Sequence, residues 1–123
     1  MELLPSFIQR KKECVEFYKK ELSGVGDIRF QQELPEVKTN GWLFTIQTDK
    51  QQQLLDHLNT NKILSRRFWM PMNKLPMYKD CVYIQQKDNS DYIYNTCLSI
   101  PSSTSITDEE LAIVVQEIKE ALG

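Results

Sequence analysis

The sequence predicts an α+β domain of two layers, with helices packed on one face of a small, mainly antiparallel sheet. Three observations carry this prediction. Residues 41–48 alternate, with Trp42, Phe44 and Ile46 on one side and Leu43, Thr45 and Gln47 on the other, which is the pattern of a half-buried strand. Both ends of the chain carry apolar residues at helical spacing. Between them run short extended stretches broken by turn residues, in the order helix, strand, strand, helix, strand, loop, helix, helix.

The first helix is read from Leu4, Ile8, Val15, Tyr18 and Leu22, which fall on one stripe, with Lys11, Lys12, Glu16, Lys19 and Lys20 largely elsewhere. Ser23-Gly24 ends it, since Gly24 can take the left-handed conformation of a helix C-terminus. Met1 and Glu2 lead straight into this helix with no capping residue before Leu3, a pattern expected of a start inside a longer chain. Ile28 to Phe30 forms a short strand, and Gln31 to Thr39, which contains Pro35, is a connection. After the alternating strand, Asp49 is expected to cap a helix, with Gln52 three residues later as in a capping box and Leu54, Leu55 and Leu58 as its buried face. Asn59-Thr60-Asn61 stops it. Ile63 to Trp69 reads as a further strand running into Pro71 and Pro76, which forbid regular structure there. Asn89-Ser90-Asp91 caps a short helix through Thr96, and Leu98 to Pro101 is brief and extended. The last helix starts at Thr107, with Glu110 completing a capping box and Leu111, Val114, Val115, Ile118 and Leu122 as its apolar stripe.

A chain of 123 residues suits one domain, residues 1–123, and its 41% hydrophobic and 26% charged residues are those of a globular protein. A formal net charge of -2 supplies no global positive field, which argues against nucleic acid as the partner. No apolar run approaches membrane-spanning length and no basic, apolar leader is present, so a cytoplasmic protein without a membrane partner is expected. Cys14, Cys81 and Cys97 are odd in number and irregularly spaced, which predicts reduced, buried thiols.

Catalytic patterns are scarce. The sequence has no GxSxG, HExxH or GxGxxG pattern. His57, the single histidine, has no neighbouring cysteine or second histidine, so it is read as a surface or half-buried structural residue and no metal site is expected. Asp108-Glu109-Glu110 are read as complements of a helix N-terminus, not as catalytic acids.

One segment stands apart. From Ser65 to Lys79, adjacent arginines interleave with large aromatics and methionines on a stretch that the prolines keep irregular. Guanidinium forks suit phosphate or carboxylate, and aromatic walls exclude water. Composition leaves a second arrangement open, in which Phe68, Trp69 and the methionines pack under the sheet and the arginines are solvated.

Here the sequence resembles the C-terminal part of the DegT/StrS family of nucleotide-sugar aminotransferases. That family carries a stretch close to TRPFWxPMHxQPxY, which stands here as Ser65-Arg66-Arg67-Phe68-Trp69-Met70-Pro71-Met72-Asn73-Lys74-Leu75-Pro76-Met77-Tyr78. Its later LPS and LTxEE elements are similar to Ile100-Pro101-Ser102 and Ile106-Thr107-Asp108-Glu109-Glu110. Leu4-Pro5-Ser6-Phe7-Ile8-Gln9-Arg10-Lys11 and Asn40-Gly41-Trp42-Leu43-Phe44 resemble two earlier family stretches, so the likeness runs through essentially the whole chain.

The resemblance implies the small domain of an aspartate-aminotransferase fold. Pyridoxal phosphate and its lysine would then belong to a missing N-terminal large domain, and this fragment alone would be inactive and bind no cofactor. The parent would be a bacterial, cytoplasmic homodimer moving an amino group from an amino acid, glutamate by the likeness, to a nucleotide-linked keto sugar. By position, Arg66, Trp69 and Asn73 would be the substrate-binding residues, and no residue here would be catalytic. Arg67 stands where the family has proline and Asn73 where it has histidine, a variant pointing to amino sugars of bacterial surface glycans, of the bacillosamine or legionaminic-acid type. A different class stays open: a free-standing, non-catalytic module that holds a nucleotide sugar or another anionic partner. A domain cut from a larger protein should also expose apolar residues, expected on the first helix and on the Phe68–Tyr78 loop.

Overall fold

The computed structural model describes residues 3–123. The expectation about the chain start concerns Met1 and Glu2, which lie outside the described residues. Four α-helices and four strands follow the order α1 (Leu4–Leu22), β1 (Arg29–Phe30), β2 (Phe44–Gln47), α2 (Gln51–Thr60), β3 (Arg66–Arg67), α3 (Asn89–Thr96), β4 (Cys97–Ile100) and α4 (Asp108–Leu122). The strands form one antiparallel sheet in the order β1-β2-β4-β3. This is the predicted α+β arrangement. No helix of the described residues is long and apolar enough to cross a membrane.

Alternation decides which face of the sheet is buried. Phe44, Ile46, Leu98 and Ile100 point into the core, where they meet Cys14, Tyr18 and Leu22 of α1, Leu54 and Leu58 of α2, and Leu111, Val114, Val115, Ile118 and Leu122 of α4. Tyr18 stacks on Phe44 with ring centroids 5.0 Å apart, and its hydroxyl donates to the Pro101 carbonyl. Burial pushes the Tyr18 hydroxyl's pKa well up, so it stays a proton donor. On the opposite face lie Thr45 and Gln47 of β2, Cys97 and Ser99 of β4, and, by register, Arg29 of β1 and Arg66 of β3. Among the described residues, no long helix covers that second face.

Several local expectations need correction. Trp42 does not join Phe44 and Ile46 in the core; it is 65% exposed. Gly41 sits at φ 68° where the chain passes close to α1, so that a Cβ there would lie 3.1 Å from Val15 Cγ2. The Trp42 amide then donates to Asn40 Oδ1 at 3.0 Å, a local turn that swings the indole outward. The regular strand therefore starts only at Phe44. Likewise the Ile63–Trp69 strand shrinks to Arg66–Arg67. The loop beyond it folds into two 3-10 turns, Met72–Lys74 and Pro76–Tyr78.

Asp49 does not cap α2. The position before the helix is Lys50, without a side-chain cap, and Asp49 pairs with Arg29 at 2.9 Å. The entry is held from outside: the Asp27 carboxylate accepts from the Thr48 hydroxyl at 2.5 Å and the Asp49 amide at 2.7 Å. The short α3 is capped by Asp88, one residue before the predicted cap, through the Asp91 amide. At α4 half of the expected capping box forms: Thr107 Oγ1 accepts from the Glu110 amide at 3.1 Å, and the Glu110 side chain makes no return bond to the Thr107 amide among the described residues. Cys14 and Cys97 are buried, but Cys81 is exposed on the loop after the second 3-10 turn.

The Asp27 clamp yields a pH prediction. The Thr48 hydroxyl holds the Asp27 carboxyl below its ordinary value; burial opposes it, and the Asp49 amide adds to the lowering. The unfolded chain therefore takes up this proton at higher pH than the folded one. Asp27→Ala is expected to lower unfolding free energy by about 1 kcal/mol at neutral pH, below the usual range for a charged acceptor because the group is half exposed. That difference should persist down to about pH 4 and close as pH falls through the folded value. Urea midpoints of both proteins across acid pH check it; parallel curves would exclude the carboxylate as the clamp.

Candidate functional site

The uncovered sheet face carries the polar groups that the core excludes. Arg66 and Ser99 are register partners on β3 and β4, and Ser99 Oγ lies 3.2 Å from Thr45 Oγ1 on β2. A hollow of about 200 Å³ opens here, walled by Trp42, Leu43, Phe68 and Trp69 and floored by Arg66, Arg67 and Ser99. A second hollow, about 360 Å³, shares Trp42, Leu43, Arg66 and Ser99 and adds Lys11, Leu64, Ser102 and Ser103. The shared residues make the two a single groove. A third hollow of about 300 Å³, more apolar, lies beyond Phe68 between Arg29, Gln47, Ile93 and Cys97.

The aromatic wall is built from separate parts of the chain. Trp42 and Trp69 approach to 6.5 Å between ring centroids, and Phe68 meets Trp69 edge-on at 5.0 Å. Lys11 fixes the other flank: its ammonium donates to the carbonyls of Trp42 at 3.0 Å and Ser102 at 2.5 Å. These bonds tie α1 to the two segments that border the groove.

The adjacent arginines part ways. Arg67 turns to α2, where it donates to Gln52 Oε1 at 2.8 Å and lies over the Tyr94 ring at 5.2 Å. Arg66 is exposed, and its guanidinium has no hydrogen-bond or ion-pair partner among the described residues. A fork-shaped cation at the floor of an aromatic-walled groove can accept a phosphate or carboxylate in two-point fashion.

Of the three residues singled out in the sequence, Arg66 and Trp69 meet at one hollow. Asn73 does not line it; it is half-buried in the first 3-10 turn, next to Lys74, which pairs with Asp91 of α3. Trp69 and the methionines Met70, Met72 and Met77 are exposed, so the loop does not pack them under the sheet, while Phe68 is half-buried. Leu3, Leu4, Phe7 and Ile8 at the start of α1 are exposed as well.

Sequence reasoning missed Trp42, Ser99 and Lys11 as groove residues. Ser99 left a trace: it is the polar residue at an alternate position of Cys97-Leu98-Ser99-Ile100. Cys97 faces the third hollow, but burial raises its thiol pKa and keeps it a protonated, poor nucleophile. Asp108 serves structure, since Arg10 donates to it at 3.0 Å and also to the Ile106 carbonyl.

Comparison with known proteins places this fold. The chain is similar to GDP-perosamine synthase of Escherichia coli O157:H7, 24% identical over an alignment of 123 positions that covers 98% of this chain and 33% of that one. Among solved structures it superposes on the aminotransferase TlmJ from Streptoalloteichus hindustanus with a TM-score of 0.87 at 18% identity, covering 98% of this chain and 33% of that one. With S. venezuelae DesV, solved in complex with a ketimine intermediate, the TM-score is 0.89 at 20% identity, covering 97% and 33%. The chain thus spans about a third of the length of these relatives. Residues 1–119 match the sequence profile of the DegT/DnrJ/EryC1/StrS aminotransferases, and the chain belongs to that family.

Proposed function

We propose that this chain is the C-terminal small domain of a pyridoxal-phosphate-dependent aminotransferase, and that it is inactive by itself. The parent enzyme, in the bacterial cytoplasm, transfers an amino group from glutamate to a keto sugar carried on a nucleotide. The observation that carries the reading is a family match over residues 1–119 by a chain spanning a third of its relatives. The missing large domain, and a second copy of the whole enzyme, are the partners assigned to it.

The lysines support the inactive half of the proposal. A Schiff-base lysine needs a free amine in a water-excluding pocket. Lys11 spends its ammonium on two carbonyls. Lys19, Lys74 and Lys119 pair with Glu33, Asp91 and Glu21. Lys12, Lys20, Lys38, Lys50, Lys62, Lys79 and Lys87 are exposed to solvent. The described residues do not fit pyridoxal phosphate, and no step of the transfer is derived from them. In the parent, the cofactor would supply the electron sink and this domain would help bind and shield the substrate. Arg66 would hold the diphosphate, Trp69 with Trp42 would pack against the sugar or base, and Asn73 would offer its amide from the loop beyond.

The test uses the purified chain. Pyridoxal phosphate added to it should give no lysine-linked visible band and no turnover of a keto sugar with glutamate; a band with turnover overturns the proposal. The unpartnered Arg66 favours one other reading, a free-standing binding module. Titration with a UDP-sugar separates the two. A domain that only completes a cleft should bind weaker than millimolar, whereas a module should bind at micromolar concentration and lose about tenfold on Arg66→Ala.

A further inference from the structure

Away from the groove, three side chains meet on the seam between α2 and α4. His57 projects from α2, while Glu117 and Glu120 leave α4 three residues apart and so share one side of that helix. One donor atom from each lies within 4.8 Å of the others, and His57 Nε2 is 2.8 Å from Glu117 Oε2. The side chains of His57 and Glu117 are 32% and 22% exposed, and Glu120 is open to solvent.

The seam is held in place around this cluster. Gln53, one turn before His57, donates to the Ala121 carbonyl at 3.1 Å, which locks α2 against α4 beside Glu120. Gln116 donates to Glu120 Oε1 at 3.0 Å and orients that carboxylate from behind. Beneath, Leu54 and Leu58 of α2 and Ile118 and Leu122 of α4 are buried in the same core. Outer hydrogen bonds of this kind are what fix carboxylate ligands at metal centres.

We propose that this seam binds one divalent transition-metal ion, with Zn²⁺ the best match, through His57 Nε2 and one oxygen each of Glu117 and Glu120. Imidazole nitrogen and carboxylate oxygen are both zinc ligands, the imidazole favours a transition metal over magnesium or calcium, and a water would complete the tetrahedron. Binding displaces the proton of the Nε2···Oε2 hydrogen bond, so that Nε2 gives its lone pair to the ion and the neutral imidazole carries its one proton on Nδ1. Two carboxylates balance the double charge of the ion, and the cation next along α4, Lys119, is engaged with Glu21 at 3.3 Å. Ligand bonds of about 2.0–2.2 Å require the donors to draw closer than they lie in the empty site. Glu120 and its partner Gln116 are both exposed, so the hydrogen-bonded pair can turn together to supply that movement. The bound ion would clamp α2 to α4 at residues that do not line the groove, so its first effect is on stability.

The experiment uses the whole chain in a Cys81→Ser background, which removes the exposed thiol as a rival ligand. After chelator treatment it is titrated calorimetrically with Zn²⁺. One ion per chain at micromolar Kd is expected, with a rise in Tm on adding Zn²⁺. Glu120→Gln, at an exposed position that leaves the fold intact by circular dichroism, should weaken binding at least about tenfold and abolish the Tm rise, and His57→Ala should do the same. Binding weaker than about 100 µM in the parent, or Kd values within about twofold across the variants, overturns the proposal.

Discussion

Leu98→Ala is expected to lower the unfolding free energy by about 3–5 kcal/mol, the upper part of the range for a leucine truncated in a core. Leu98 is fully buried on β4, the strand that pairs with β2 on one side and β3 on the other. It stands opposite Ile46 and Arg67 in register, beneath the helices. The cost has two parts: the transfer energy of the lost methyl groups, and the cavity left behind. A strand bonded along both edges cannot move inward to close that cavity, so little relaxation is available. Domains of this size hold only about 5–15 kcal/mol in total, so the variant should approach the edge of folding. Urea unfolding followed by circular dichroism measures it, with the exposed Ile113→Ala as a control expected within about 0.5 kcal/mol of the parent. Equal costs at the two positions would mean that the core is not organised around β4.

Gln51→Glu is expected to cost about 3 kcal/mol or more at neutral pH, although it changes only an amide nitrogen for an oxygen. Gln51 is 2% exposed, and its Nε2 donates to the carbonyls of Tyr94 at 2.8 Å and Cys97 at 2.5 Å. The Tyr94 carbonyl lies in the last turn of α3, where no helical amide remains to serve it. The amide of Gln51 thus finishes a helix that runs directly into the central strand. A carboxylate there would be a buried charge facing two carbonyl oxygens. Only its protonated form can donate, so folding would raise its pKa above the unfolded value of about 4.3. The folded state then binds the extra proton, and the penalty should be smallest below about pH 4 and grow as pH rises through the folded value. Unfolding titrations at several pH values read this directly; a pH-independent penalty would mean that the group stays ionised and reaches solvent.

The long helices and the best strand were legible because their patterns are local. Tyr18, Leu22, Leu54, Leu58 and the α4 stripe repeat at helical spacing, and Phe44 and Ile46 alternate. The role of β4 was not legible. Cys97-Leu98-Ser99-Ile100 is four residues long, and its central place depends on bonds to β2, about fifty residues earlier. Trp42 misled because the alternation continued through it, while Gly41 and Asn40 had already turned the backbone. The cap of α2 was misread because the Asp49 carboxylate goes to Arg29, while Asp27, twenty-two residues upstream, holds the segment that leads into the helix. At the candidate site, Arg66 and Trp69 were found by composition, since a proline-broken run of arginine and aromatics is unusual. Trp42 and Ser99 join them only through the sheet, and Arg67, which still borders the hollow, spends its guanidinium on Tyr94 and Gln52, a choice that adjacency in sequence conceals.

The strand order β1-β2-β4-β3 also governs biosynthesis. While a ribosome has yet to reach Cys97, the emerging Phe44–Gln47 segment has only the two residues of β1 as a sheet neighbour. Its aromatic and branched side chains stay wet for seconds at ordinary elongation speeds, an interval in which chaperones or stray nascent chains compete for them. Slowing translation between codons 48 and 97 should therefore lower the soluble yield, whereas slowing it ahead of residue 44, before that segment exists, should matter far less.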